Sequence, residues 1–366
     1  MLNAVLVFLI IFFTVGFIAF FVINVSRKLY MISQMKNHQK MIDEIMLAIC
    51  GFTAGTEEEY KDGLDDFIKN ASDREQTYLA AVDEFLLKTL EDPAAEHRER
   101  LIGIAERLGF TAECIIQISS RTPEISHLGS RRAGLYKVRE AVKDMEAALD
   151  FFSSENQYEI LMSLARMGEA EIMQRAFEKI KKNILINELG IIEILSYFPE
   201  GKEKNRLFRN MLHSDTNYLK VLFLKALNSK MAKILTDDII QVLLDGNKDV
   251  RAASVCGIAK LGKKAPADAL IRALEDKDWE VRALAAKALG FVRTPEASLA
   301  LFKALCDQQW WVRQNAANAL TEHPNYDNLF ILAVESGDEY ARDSVLSALE
   351  NRGNPVLLRS LKIMGA

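Results

Sequence analysis

The feature that most limits what this chain can fold into is a basic residue recurring at a near-constant interval through its C-terminal half. Lys220, Arg251, Arg282, Arg313 and Arg342 stand 31, 31, 31 and 29 positions apart. Six positions before each comes Ser214, Asp245, Asp276, Asp307 or Ser336, residue types suited to capping a helix. Three, four and seven positions after the basic residue come small or apolar side chains: Ala285, Ala286 and Leu289 in one repeat, Ala316, Ala317 and Leu320 in the next. That spacing draws one buried face on a helix. Val250, Val281 and Val312, just before the arginines, should also point inward. A small residue recurs six positions on, at Ala226, Gly257, Ala288, Ala319 and Ala348, where it would let neighbouring helices approach closely.

A second helix should follow in each repeat. Thr294 and Pro295 read as an N-cap and a first-turn proline. Pro266, Pro324 and Pro355 fill similar places, and Thr236 reads as another cap. The second helices are expected over 267–274, 296–305 and 327–334. One hairpin per repeat cannot cover both of its faces, so the hairpins must stack.

The run DWEVRALAAKALG over residues 278–290 resembles the first helix of the HEAT-like repeats recognised in phycobilisome lyases. The resemblance is strong over 245–320, good to the C-terminus, and weak upstream, where 158–168 and 188–198 keep the spacing with little of the motif. Residues 128–133 read as the start of one more degenerate unit. The resemblance implies an all-α right-handed solenoid that serves mainly as a binding scaffold. Arg251, Arg282, Arg313 and Arg342 are expected to form a structural ladder, each bonding an aspartate or a helix end of an adjacent repeat.

The N-terminus reads differently. Residues 1–26 carry no charged side chain, and six phenylalanines lie between Phe8 and Phe21. The apolar core, residues 5–25, is long enough to span a bilayer as a helix. No basic residue precedes it, and residues 23–26 make a poor cleavage site, so an uncleaved anchor is expected rather than a signal peptide. Arg27, Lys28, Lys36 and Lys40 follow the span, which places the bulk of the chain on the cytoplasmic side of the cell membrane. Beyond it, Leu29, Ile32, Met35, Ile42, Ile45, Met46 and Ile49 read as an amphipathic helix broken at residues 51–55. Thr56 and Glu59 have the form of a capping box, and helices are expected over 57–69 and 74–90. The expected organisation is an anchor (1–26), a helical stalk (27–92), divergent repeats (93–245) and well-formed repeats (246–366).

A net charge of −5 disfavours a protein that tracks nucleic-acid phosphates. Cys50, Cys114, Cys256 and Cys306 are far apart and read as reduced packing residues. His38, His97, His127, His213 and His323 are scattered, and no phosphate loop, zinc or nucleophile motif occurs. No catalytic residue, metal or cofactor is expected, and no small-molecule substrate. Asp237 and Asp238 are better explained as a helix start.

Aromatic residues recur near the start of the first helices. Trp279 and Trp310 share one repeat position; Tyr218, Trp311 and Tyr340 share the next. They either cover neighbouring turns or form an exposed strip that anchors a partner. Successive helical positions lie about 100° apart, so Trp310 and Trp311 are expected to face different ways, with Trp311 the better anchor. The functional expectation is a membrane-tethered scaffold for a protein partner, with a membrane-embedded enzyme of envelope or polysaccharide synthesis as the client considered. Phycobilin-lyase-like activity and binding of DNA lesions are the alternatives.

Overall fold

The computed structural model describes residues 2–92, 94–150, 154–181, 185–324 and 326–364, and among them all regular structure is helical. The chain divides into two compact units, Met1–Asp144 and Met145–Ala366. The division falls inside the segment 93–245 that the sequence assigns to divergent repeats.

The first unit contains α1 (Leu2–Thr53), α2 (Glu57–Ser72), α3 (Gln76–Glu91), α4 (Arg98–Arg107), α5 (Phe110–Ile118) and α6 (Pro123–Leu135). α1 continues past Gly51 and ends at Thr53, so the break comes at the end of the expected interval rather than at its start. A lone glycine weakens a helix by only about 1 kcal/mol, and Ile45, Ile49 and Thr53 on the same face are buried. The capping box forms as expected. Thr56 Oγ1 accepts from the Glu59 N–H, and Glu59 Oε2 accepts from the Thr56 N–H. The side chains of residues 2–16, 18 and 19 lie outside the described residues, and most of the expected span at 5–25 falls on them. Among the described residues no helix is long and apolar enough to cross a membrane.

The core of this unit holds a buried polar network that the sequence reading missed. Asp83 Oδ2 accepts from Arg132 Nε at 3.0 Å and Nη2 at 2.6 Å, and Asp83 Oδ1 accepts from Tyr136 Oη at 2.6 Å. Burial, with the neighbouring Asp83 charge, drives the Tyr136 phenol far above its ordinary pKa. Such a network, once satisfied, ties α3 to α6 in one register. α5 and α6 meet at Gly129, where a Cβ would stand 2.8 Å from both Cys114 O and Ile118 N.

The second unit is built of helix pairs. After α7 (Val142–Ala148), which carries the boundary between units, come α8 (Ser154–Met167) with α9 (Ala170–Ile180), and α10 (Glu188–Tyr197) with α11 (Lys202–Leu212). Then α12 (Asn217–Ala226) is followed by α13 (Ser229–Ile234) and α14 (Thr236–Val242). α15 (Lys248–Ala259) pairs with α16 (Ala267–Ala273), and α17 (Trp279–Leu289) with α18 (Pro295–Ala304). α19 (Trp310–Leu320) pairs with α20 (Tyr326–Glu335), and α21 (Glu339–Arg352) with α22 (Pro355–Met364).

First helices α8, α10, α12, α15, α17, α19 and α21 pack in succession as one layer. The second helices form another, in which neighbours meet less closely. The small residues explain the difference: Gly257, Ala288, Ala319 and Ala348 are buried, and no bulky side chain holds the first helices apart. Val250, Val281 and Val312 are buried, as are Ala285, Ala286, Leu289, Ala316, Ala317 and Leu320.

Two capping expectations need correction. The opening Asp or Ser of each repeat is not the N-cap, which lies two residues later at Asn247, Asp278, Gln309 or Asp338. Instead Asp245, Asp276 and Asp307 accept the backbone N–H two residues on, at 2.8, 2.9 and 2.8 Å, and shape the turn that enters the helix. Thr236 is not a cap either: its hydroxyl donates back to Ala232 O and Lys233 O. Asn228 caps α13 instead.

Candidate functional site

The recurrent basic residues sit at the N-terminal ends of the first helices and reach the next repeat. Lys220 Nζ donates to Asp245 Oδ2 at 2.7 Å. Arg251 grips Asp276 with two bonds, of 2.7 and 2.9 Å, and Asp278 with a third, of 2.6 Å. Arg282 grips Asp307 at 2.7 and 3.0 Å. Nη1 of Arg251, Arg282 and Arg313 also donates to the carbonyls of the two residues that open its own repeat. Burial alone would raise the Asp245, Asp276 and Asp307 carboxyls, but their Lys220, Arg251 and Arg282 partners outweigh it and hold all three below the ordinary range. These cations are spent on architecture and leave nothing to offer a ligand.

The pattern lapses at Arg313. The next repeat opens with Ser336, not aspartate, and Arg313 Nε is buried with no acceptor among the described residues. The Tyr340 ring covers the guanidinium instead, 4.9 Å away. Arg342 donates to its neighbour Asp343 at 3.4 Å.

The aromatic row occupies the same helix ends. Tyr218 is 44% exposed, Trp310 50%, Trp311 55% and Tyr340 67%, whereas Trp279 is half-buried. Four of these five rings are therefore not covers for turns in any complete sense. The expected divergence of Trp310 and Trp311 is not what the structure has. Their rings meet edge to face, with centroids 4.6 Å apart. The backbone positions do differ by a helical step, but an indole is long enough to lean across it, and edge-to-face contact rewards the lean. The pair acts as one apolar unit.

Beside Tyr218 the first-helix layer forms a groove of about 600 Å³. Tyr218 and Val221 of α12, Ala252 and Cys256 of α15, and Leu284 of α17 supply its apolar lining. Lys225, at its edge, is paired with Glu188 at 2.8 Å. Sequence reasoning found Tyr218 but not the rest. The available signal was the exposed position five residues after each basic residue (Lys225, Cys256, Lys287, Asn318).

The remaining polar candidates stay apart. His38 pairs with Glu84 and His213 with Asp238. His323 is buried between Ser298 Oγ and Leu289 O. Among the described residues no group of His, Cys, Asp or Glu is placed to hold a metal ion. The four cysteines are free thiols.

Residues 236–321, from the start of α14 to the end of α19, match the family model of HEAT repeats. The match marks this stretch as HEAT-like repeats, and the stacked helix pairs around it fit an α-solenoid. The match is to HEAT repeats at large and does not single out the phycobilisome-lyase kind. No curated protein matches the sequence. Among solved structures, one engineered protein is 16% identical with a TM-score of 0.35, over 82% of this chain and 92% of that one. A second engineered protein is 18% identical with a TM-score of 0.28, over 58% of this chain and 96% of that one. Human deoxyhypusine hydroxylase in complex with glycerol is 16% identical with a TM-score of 0.27, over 73% of this chain and 94% of that one.

Proposed function

We propose that this chain is a non-enzymatic scaffold, tethered to the cytoplasmic face of the cell membrane, that binds and positions a membrane-associated protein partner. The observation that carries the reading is the first-helix layer of the second unit. It presents an apolar groove at Tyr218 and an exposed aromatic unit at Trp310 and Trp311, while the cations beside them are committed to the fold. HEAT repeats commonly serve protein–protein interaction, and exposed Trp and Tyr are the side chains that dominate such interfaces.

The tether is supported by α1. Phe17, Phe20, Phe21, Val22, Ile23 and Val25 lie on it with their side chains exposed, a density of bare apolar surface that water does not tolerate on a soluble helix. Residues 5–25 continue that composition, and the first basic residues follow at Arg27 and Lys28. A tether holds the solenoid at high local concentration near membrane clients.

The test has two arms. The protein should stay in the membrane pellet after alkaline carbonate washing, with its C-terminus protected from protease added outside intact cells. In a pull-down from solubilised membranes, Trp311→Ala and Tyr218→Ala should each lose partner recovery while circular dichroism stays unchanged. A hot-spot aromatic contributes about 2 kcal/mol or more, on the order of thirtyfold in affinity. Extraction by carbonate would remove the tether from the reading. Undiminished recovery by both variants would remove this surface, and salt-sensitive retention of DNA or binding of a bilin would replace the scaffold reading altogether.

A further inference from the structure

A second cavity, of about 510 Å³, opens at the other ends of the first helices, between the C-terminal turns of α17 and α19. Its floor is Gly290 against Ala319, packed so closely that a Cβ on Gly290 would stand 3.1 Å from the Ala319 Cβ. Phe291, more than half exposed, forms an apolar wall. The rim carries Lys263, Lys287, Arg293 and Glu322.

The charge balance of this rim is opposite to that of the chain. Glu322 is its single carboxylate, and it is already divided. Oε2 accepts from Arg293 Nη2 at 3.1 Å, and Oε1 accepts from Arg352 Nη1 at 3.2 Å. Two guanidiniums thus share one carboxylate, and both lysine side chains add to them without an acidic partner among the described residues. The helix dipole explains only part of this. Lys287 lies in the last turn of α17, where a cation is favoured. Lys263 lies in a separate turn, and Arg293 stands just ahead of the N-terminus of α18, where the dipole opposes a cation. Three separate segments therefore bring positive charge to one apolar-walled cavity on a protein of net charge −5.

We infer that this cavity takes an acidic segment of the protein partner, its carboxylates between Lys263 and Lys287 and an apolar side chain against Phe291. The inference rests on the partner-binding reading and names the chemistry of what docks. An acidic peptide fits the paired lysines by charge and the phenylalanine by burial, whereas a bare anion would leave the wall unused.

The experiment titrates the full-length chain in detergent with a short fluorescent peptide rich in Glu with one Phe, read by anisotropy. A matched peptide with Lys in place of Glu is the control. The acidic peptide should bind, and its affinity should fall as salt is raised. The Lys263→Glu, Lys287→Glu double variant should bind it on the order of tenfold or more weakly. Both lysines are exposed, so the variant should keep the wild-type melt. Lys263→Arg, Lys287→Arg should retain binding. Equal binding of the two peptides would overturn the inference, as would equal binding by wild type and the charge-reversed variant. So would displacement of the peptide by inorganic phosphate or phosphatidylglycerol vesicles at lower concentration than by unlabelled peptide. Partner recovery from membranes reports the scaffold reading separately: recovery that depends on Trp311 alongside a failed titration would leave that reading standing and this one lost.

Discussion

Replacing Asp307 with alanine removes three bonds from one side chain. Its carboxylate accepts from Arg282 Nε and Nη2, at 2.7 and 3.0 Å, and from the Gln309 N–H at 2.8 Å. Both partners of the ion pair are largely buried, at 16% and 13% side-chain exposure. Breaking a buried pair by deleting one partner costs about 3–5 kcal/mol, because the other charge is stranded. Arg282 would be only partly stranded, since Nη1 keeps the Asp276 and Lys277 carbonyls. The expected loss is therefore at the low end, about 3 kcal/mol. For a unit of this size that corresponds to a fall in Tm of roughly 6–12 °C. Asp307→Asn keeps an acceptor for the turn and should lose about half as much. Thermal and urea unfolding followed by circular dichroism would measure both. A change within about 0.5 kcal/mol for Asp307→Ala, the range of an ordinary surface substitution, would refute the claim that the ladder holds adjacent repeats together.

Four further outcomes are expected. Ser336→Asp should stabilise the protein by about 1 kcal/mol, measured by urea unfolding, because it offers a carboxylate to the buried Arg313 Nε. Gly129→Ala should lower the stability of the first unit by about 1–3 kcal/mol, since the added Cβ meets backbone atoms of α5 that cannot swing away; an unchanged melt would contradict that packing. Leu289→Asp should unfold the C-terminal repeats, because an unpaired carboxylate on that fully buried face costs on the order of a domain's whole margin; proteolysis would show it. Burial holds the His323 imidazole below its ordinary pKa. Its contribution is thus complete above about pH 6.5 and is lost as pH falls through the folded value. Stability should decline across that window in wild type and less so in His323→Gln, which unfolding curves at several pH values would reveal.

The fold was legible where one residue carries one constraint. The repeat spacing, the inward valines and the small residues each follow from helical geometry, and the Thr56–Glu59 box follows from local hydrogen bonding. What was not legible depends on two segments meeting. Asp83 and Arg132 stand 49 positions apart and form no pattern in sequence, yet they build the polar core of the first unit. The opening aspartates read as helix caps rather than as the turn formers they are, and their second bond, to the basic residue of the preceding repeat, exists only once helices stack. The same limit applied to the candidate site. Sequence marked the aromatic positions, while the groove beside Tyr218 is made by α12, α15 and α17 together. The Trp310–Trp311 contact escaped an argument from backbone angles because it is decided by side-chain length.

The place where the ladder lapses is also the place where aromatic exposure is greatest. α19 carries Trp310 and Trp311, half exposed and in mutual contact, and the next first helix begins with exposed Tyr340 over Arg313. The three preceding rungs use an aspartate for this job, and nothing in the helical pattern prevents a fourth. Burying Arg313 Nε without an acceptor forgoes stability that one substitution could restore, as natural proteins commonly do. If Tyr340 is held over Arg313 because the exposed ring serves the partner, Ser336→Asp should draw the guanidinium toward the new carboxylate and loosen the ring. Stability would then rise while partner recovery falls. A variant that gained stability and recovered the partner as well as wild type would assign Tyr340 to packing alone and leave the Trp310–Trp311 unit as the anchor.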